Sequence, residues 1–185
     1  MQTTSSGRYP GAIIILHWLS VLLFILVYSS MEFKGIFAKG TDARDLMKTA
    51  HYAFGLSIFM LFWLRVLARS LLQTPAQTAV TSLWQRKLVA LTHAALYLLM
   101  LLQPILGWLL INAEQSNTMI FGVALLPQLL TPDAALAERL EELHEIIATA
   151  GYVLIGAHSA AALMHHYYLK DATLHKMLFG NKQQR

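Results

Sequence analysis

Histidine is the residue with the most capacity for chemistry in this chain. There are eight histidines and no cysteine among 185 residues. Iron–sulfur ligation, disulfides and thiol-anchored c-type haem are therefore excluded, and imidazole is the plentiful metal ligand. Four histidines are singled out by spacing: His17, His51, His144 and His158. His144 and His158 lie 14 residues apart. That is close to four turns of α-helix, which puts both rings on one face about 21 Å apart along the axis. Depth then pairs them with the other two. His51 matches His144 near one membrane surface, and His17 matches His158 toward the other. Gly151 falls midway between His144 and His158, and Gly55 lies one turn from His51, which predicts room for a flat macrocycle. Two stacked bis-histidine sites suit two b-type haems, whose iron takes axial ligands from opposite sides. Zinc would want four ligands converging on one centre.

Other ionisable residues sit in apolar surroundings. Arg65 follows His51 by 14 residues, so it shares that face near the inner pair. It either meets an anion such as a haem propionate or snorkels to the headgroups. His165 follows His158 by seven residues, about 10 Å too deep to partner His17. It reads as an interfacial histidine within reach of a propionate or a quinone. His93 could bond a propionate or another helix, and His175 reads as a solvated tail residue.

These side chains need elements to hold them. Hydrophobic residues make up 56 % of the chain and charged residues only 13 %, where soluble domains run near a quarter charged. Four apolar runs, Gly11–Met31, Ala53–Leu72, Leu88–Ile111 and Ile146–Leu169, each approach the 20 residues needed to cross a bilayer. The first is read as a span and not as a signal peptide. An amphipathic stretch from Asp133 leads into the fourth. The expected fold is all-α: one domain over residues 1–185, an integral membrane four-helix bundle with lipid around it.

Orientation follows from the basic residues. With the N-terminus inside, nine Lys and Arg lie on the inner side and five on the outer, and nine of ten acids lie outside. The positive-inside rule therefore predicts both termini in the cytoplasm. The net charge of +4 belongs to membrane flanks, so no nucleic acid is implied.

Specific stretches resemble the bacterial cytochrome b561 family. They are Leu16-His17-Trp18-Leu19, Tyr28-Ser-Ser-Met31-Glu32-Phe33-Lys34-Gly35, Gly156-Ala157-His158 and His165-His166-Tyr167-Tyr168-Leu169-Lys170-Asp171-Ala172-Thr173-Leu174. The resemblance covers nearly the whole chain. It implies four haem ligands at His17, His51, His144 and His158. It looks closest to the short members that pass electrons from superoxide to ubiquinone. The second loop lacks the proline- and lysine-rich run associated with those members, which bears on the cytoplasmic surface and not on the haems.

Three function classes compete. In the first, an enzyme oxidises periplasmic superoxide and reduces ubiquinone without an obligate protein partner. Lys34, Lys39, Arg44 and Lys48, in the loop before His51, would then focus a small anion. In the second, a cytochrome b subunit relays electrons from a partner protein to the quinone pool. In the third, a bundle without redox chemistry uses histidines as helix glue. Short extramembrane segments favour the first over the second, because they leave little surface for docking.

Overall fold

The computed structural model describes residues 7–75, 82–114 and 127–178. Among them the chain forms four long helices and no strand: α1 Gly11–Lys34, α2 Asp42–Leu71, α3 Leu83–Ala113 and α4 Ala134–Tyr167. A short 3₁₀ turn, His175–Met177, follows. All four helices are long and apolar enough to cross a membrane. At 24 residues, α1 measures about 36 Å, enough for a hydrocarbon core of about 30 Å.

Three helices start earlier than their apolar runs. The starts are set by polar caps, which hydropathy does not register. The Thr41 hydroxyl accepts the Arg44 amide, and Asp42 and Asp45 lie against the positive end of α2. Ser82 and Gln85 form a reciprocal capping box at α3. The Asp133 carboxylate accepts the amides of Ala135 and Leu136 at α4. The amphipathic stretch after Asp133 is thus the first part of α4 itself. His51 and His144, which stand just before their apolar runs, accordingly sit between two and three turns inside their helices.

The helices pack most extensively as α1 on α2 and α3 on α4, with α2 on α3 joining the halves. The core is small: Val27, Ile58, Leu61, Phe62 and Met100 are buried together, with Tyr28, Phe54 and Tyr97 against them. Large apolar side chains such as Ile15, Leu22, Leu64, Leu67 and Leu91 face outward. Water would not tolerate so continuous an apolar surface, and lipid does. α4 faces α1 across a seam bridged by side chains. The Tyr28 hydroxyl donates to the Ala148 carbonyl at 2.9 Å, and the Tyr152 hydroxyl donates to Glu32 at 2.7 Å.

Gly151 lies in that seam and is buried. The room expected there for a macrocycle is taken: a Cβ at this position would collide with the Tyr28 hydroxyl and crowd both methyls of Leu99. Gly151 is therefore a helix-contact glycine. Gly151→Val should destabilise the bundle by about 1–3 kcal/mol through overpacking. Gly156→Val, where nothing lies within 4 Å, should not. Thermal unfolding in detergent compares them, and equal midpoints for both variants would sink the assignment.

The segments flanking α1 and α4 meet on one face of the bundle. The Trp18 indole donates to the Met177 carbonyl at 2.7 Å, and the Tyr9 amide to the Lys176 carbonyl at 3.3 Å. This face is the tail end below, and the opposite one, carrying the α1–α2 connection, is the loop end.

Candidate functional site

The seam between α4 and the α1–α2 pair holds the four singled-out histidines in two couples. At the loop end His51 of α2 faces His144 of α4, with ring centres 6.1 Å apart. At the tail end His17 of α1 faces His158 of α4 at 6.4 Å. An imidazole nitrogen sits about 2 Å from a bound metal and the ring centre about 1.2 Å behind it, so two rings on opposite sides of one iron have centres about 6.3 Å apart. Both couples have the separation that bis-imidazole ligation requires. Among the described residues no three or more His, Cys, Asp or Glu side chains converge on one point.

Neighbouring groups orient the rings. His51 Nδ1 lies 3.1 Å from the Val27 carbonyl. A carbonyl only accepts, so Nδ1 carries the proton and Nε2 keeps its lone pair for a metal. His144 has the opposite condition: its Nδ1 is buried with no hydrogen-bond partner among the described residues. A bound group that met this nitrogen would relieve the cost of leaving it unpaired. Gly107 of α3 lies against this ring, since a Cβ there would stand 3.4 Å from His144 Cε1. One turn earlier, the Gln103 amide donates to the His144 carbonyl at 2.9 Å. These groups fit a haem held between α2 and α4 at the loop end. At the tail end His93 packs edge-on against His158 at 5.4 Å, and its own Nδ1 donates to the Val89 carbonyl at 2.7 Å.

Arg65 turns inward and does not snorkel. Its Nη1 donates to the Ser20 hydroxyl at 3.1 Å, and the guanidinium lies 5.4 Å from the Tyr97 ring centre. Its Nε is buried with no partner. His165 is held by the tail: its Nδ1 lies 2.5 Å from Asp171 Oδ2, while Asp171 Oδ1 accepts the Thr173 amide at 2.8 Å. Lys170 adopts a left-handed φ of 52° in the turn that brings Asp171 back to α4. Partial burial acts to raise the Asp171 carboxyl, but the hydrogen bonds from His165 and Thr173 outweigh it and hold it at about 2. It stays charged at any working pH. Its contribution to docking the tail is complete above the ordinary carboxylate range and is lost as pH falls through about 2.

A cavity of about 290 Å³ abuts the loop-end couple, lined by both rings, Lys34, Arg44, Lys48, Tyr52, Glu114 and Glu141. Three of the four basic residues singled out in the loop thus converge, and Lys39 is not among the lining residues. Arg44 also ties the loop together, donating to the Lys34 and Phe37 carbonyls at 3.1 and 2.9 Å. Glu114, Glu141 and Gly107 were missed by sequence reasoning. Glu141 had a signal, standing one helical turn before His144. Glu114 and Gly107 reach the site from α3, which only tertiary packing places there.

The family model for prokaryotic cytochrome b561 matches residues 8–180. The chain is 33 % identical to cytochrome b561 homolog 1 of Escherichia coli K12, over 93 % of this chain and 97 % of the relative. It is 33 % identical to the probable superoxide oxidase CybB of Yersinia pestis, over 92 % and 96 %. It is 31 % identical to cytochrome b561 homolog 2 of Escherichia coli K12, over 95 % and 94 %.

Proposed function

This chain belongs to the prokaryotic cytochrome b561 family, whose members carry electrons in membranes, and from that premise we propose that it oxidises superoxide at its loop end and reduces ubiquinone. The observation that carries this reading is the cation-lined cavity against His51 and His144. The name of the Yersinia relative points the same way. In this reading the loop end faces the periplasm, the tail end faces the cytoplasm, and no further protein chain is required.

His51 with His144, and His17 with His158, would hold two b-type haems. Bound there, the haems supply one-electron carriage across the span. The chain's own residues supply the rest. Lys34, Arg44 and Lys48 raise the local concentration of a small anion beside the loop-end couple. An outer-sphere donor needs neither nucleophile nor general base, so no triad is called for. Two superoxide anions become two dioxygen molecules, and ubiquinone takes up the two electrons with two protons. His165, oriented by Asp171, is the tail-end group placed to hand on those protons. Arg65 is the cation beside the tail-end couple.

The test is superoxide delivered in pulses to the haem-loaded protein with a short-chain quinone, followed optically. Haem reduction and quinol formation should both occur and both be abolished by superoxide dismutase. Haem reduced equally fast with dismutase present would reject the reading and leave a relay subunit in its place. Asp171→Asn should keep fast haem reduction and slow quinol formation at least several-fold. Unchanged quinol formation would remove His165 and Asp171 from the reaction.

A further inference from the structure

Arg65 is a guanidinium inside a membrane-spanning helix with no acidic partner among the described residues. The only ion pair among the described residues joins His165 and Asp171, and the contacts of Arg65 are a hydroxyl and an aromatic ring. Arginine cannot shed its proton in a protein. Its charge is therefore permanent, and no carboxylate among the described residues compensates it. Such a group is expensive in a bilayer and is kept for what its field does.

The field is unevenly placed. Ser20, which holds Arg65, bonds back to the Leu16 carbonyl at 2.7 Å, the turn that carries His17. His17 follows Leu16 directly and faces His158, so the charge stands beside the tail-end couple, whereas His51 lies 14 residues back along α2, about 21 Å away along the axis. At the loop end Lys34, Arg44 and Lys48 share their cavity with Glu114 and Glu141. Solvent and opposing carboxylates weaken their field.

We propose that Arg65 sets the direction of electron flow by making the tail-end site the stronger electron acceptor of the two. An added electron lowers the charge of a haem centre by one. A fixed positive charge beside it stabilises the reduced form more than the oxidised form. Placed at the tail end, Arg65 draws an electron from the loop end toward the side where His165 and Asp171 stand. This rests on the reading that both histidine couples hold haem, and it does not depend on which molecule donates the electron.

Spectroelectrochemical titration of the loaded protein with chemical mediators tests it, with single-haem His51→Ala protein used to assign the tail-end midpoint. Arg65→Gln should shift electron sharing between the two sites at least tenfold toward the loop end. That corresponds to a fall of 59 mV or more in the tail-end midpoint for a one-electron couple. Arg65→Lys should retain most of the native difference. If Arg65→Gln fails to load, Ser20→Asp serves instead, since a carboxylate against the guanidinium cancels the field without removing the side chain. It should lower the same midpoint. A tail-end midpoint that does not move, or two midpoints that fall equally, overturns the proposal. So does Arg65→Lys falling as far as Arg65→Gln. No superoxide enters the titration, so failure here is distinct from failure of the superoxide assay, and a wild-type chain that loads no tail-end haem fails the earlier reading itself.

Discussion

Alanine at His51 or at His144 is expected to halve the haem content, from two per chain to one, with the loop-end haem lost. The same substitution at His17 or His158 should remove the tail-end haem instead. The expectation rests on ring separations of 6.1 and 6.4 Å, the span of one iron with two axial imidazoles. It also rests on the way each couple draws one ring from α4 and one from a different helix. Removing either ring would leave that haem only one of its two protein ligands. Pyridine haemochrome analysis gives the ratio, and redox titration shows which centre remains. Loss of the same centre from the His17→Ala and His51→Ala proteins would contradict the pairing. A second outcome also matters at the tail end. His93 packs against His158, and its Nδ1 donates to Val89 on its own helix as His51 Nδ1 donates to Val27, which leaves Nε2 free; His17→Ala with His93→Ala is therefore the stricter test of the tail-end pairing.

The spans and both histidine couples were legible in the sequence for a geometric reason. Membrane helices are straight over about 20 residues, so depth can be counted from chain position, and α4 carries one ligand of each couple 14 residues apart on a single face. Counting depth says nothing about what a neighbouring helix brings. Gly151 shares the face of His144 and His158, yet Tyr28 and Leu99 fill the space beside it. Gly107 lies against His144 from a helix whose rotation the sequence does not state. The inward turn of Arg65 depended on the Ser20 hydroxyl across the α1–α2 interface. His165 was assigned to the interface by depth, and its partner Asp171 comes from the chain doubling back at Lys170. Helix starts after Thr41 and Ser82 were obscured because hydropathy follows lipid contact and caps follow hydrogen bonding, whereas the amphipathic pattern after Asp133 did mark the start of α4. Local pairings and periodicities can be read along one chain. Contacts between faces of different helices require the packed bundle.

The cavity beside His51 makes the last expectation quantitative. Lys34, Arg44 and Lys48 line it with Glu114 and Glu141, so three positive charges face two negative ones. Steering of this kind changes association rates by roughly ten- to a thousandfold and fades with salt, since the Debye length is about 10 Å at 0.1 M. Arg44 is a poor target, because its guanidinium also holds the loop through the Lys34 and Phe37 carbonyls. Lys34→Gln with Lys48→Gln removes charge and leaves that brace in place. At low ionic strength the double variant should reduce its haem with superoxide about tenfold more slowly than wild type. Its rate should also depend less on salt. Glu114→Gln with Glu141→Gln should do the reverse, raising the rate and steepening its fall as salt is added. Lys39→Gln is the internal control: Lys39 is exposed and off the cavity wall, so its loss should change the rate by less than either Lys34→Gln or Lys48→Gln alone. Stopped-flow haem reduction at several salt concentrations reads all of these. Should Lys39→Gln slow the reaction as much as the other two, the effect would come from net charge alone, and the cavity would lose its claim as the entry point. Should the glutamine pairs at Lys34/Lys48 and Glu114/Glu141 shift the rate in the same direction, charge would not be the operative property at all.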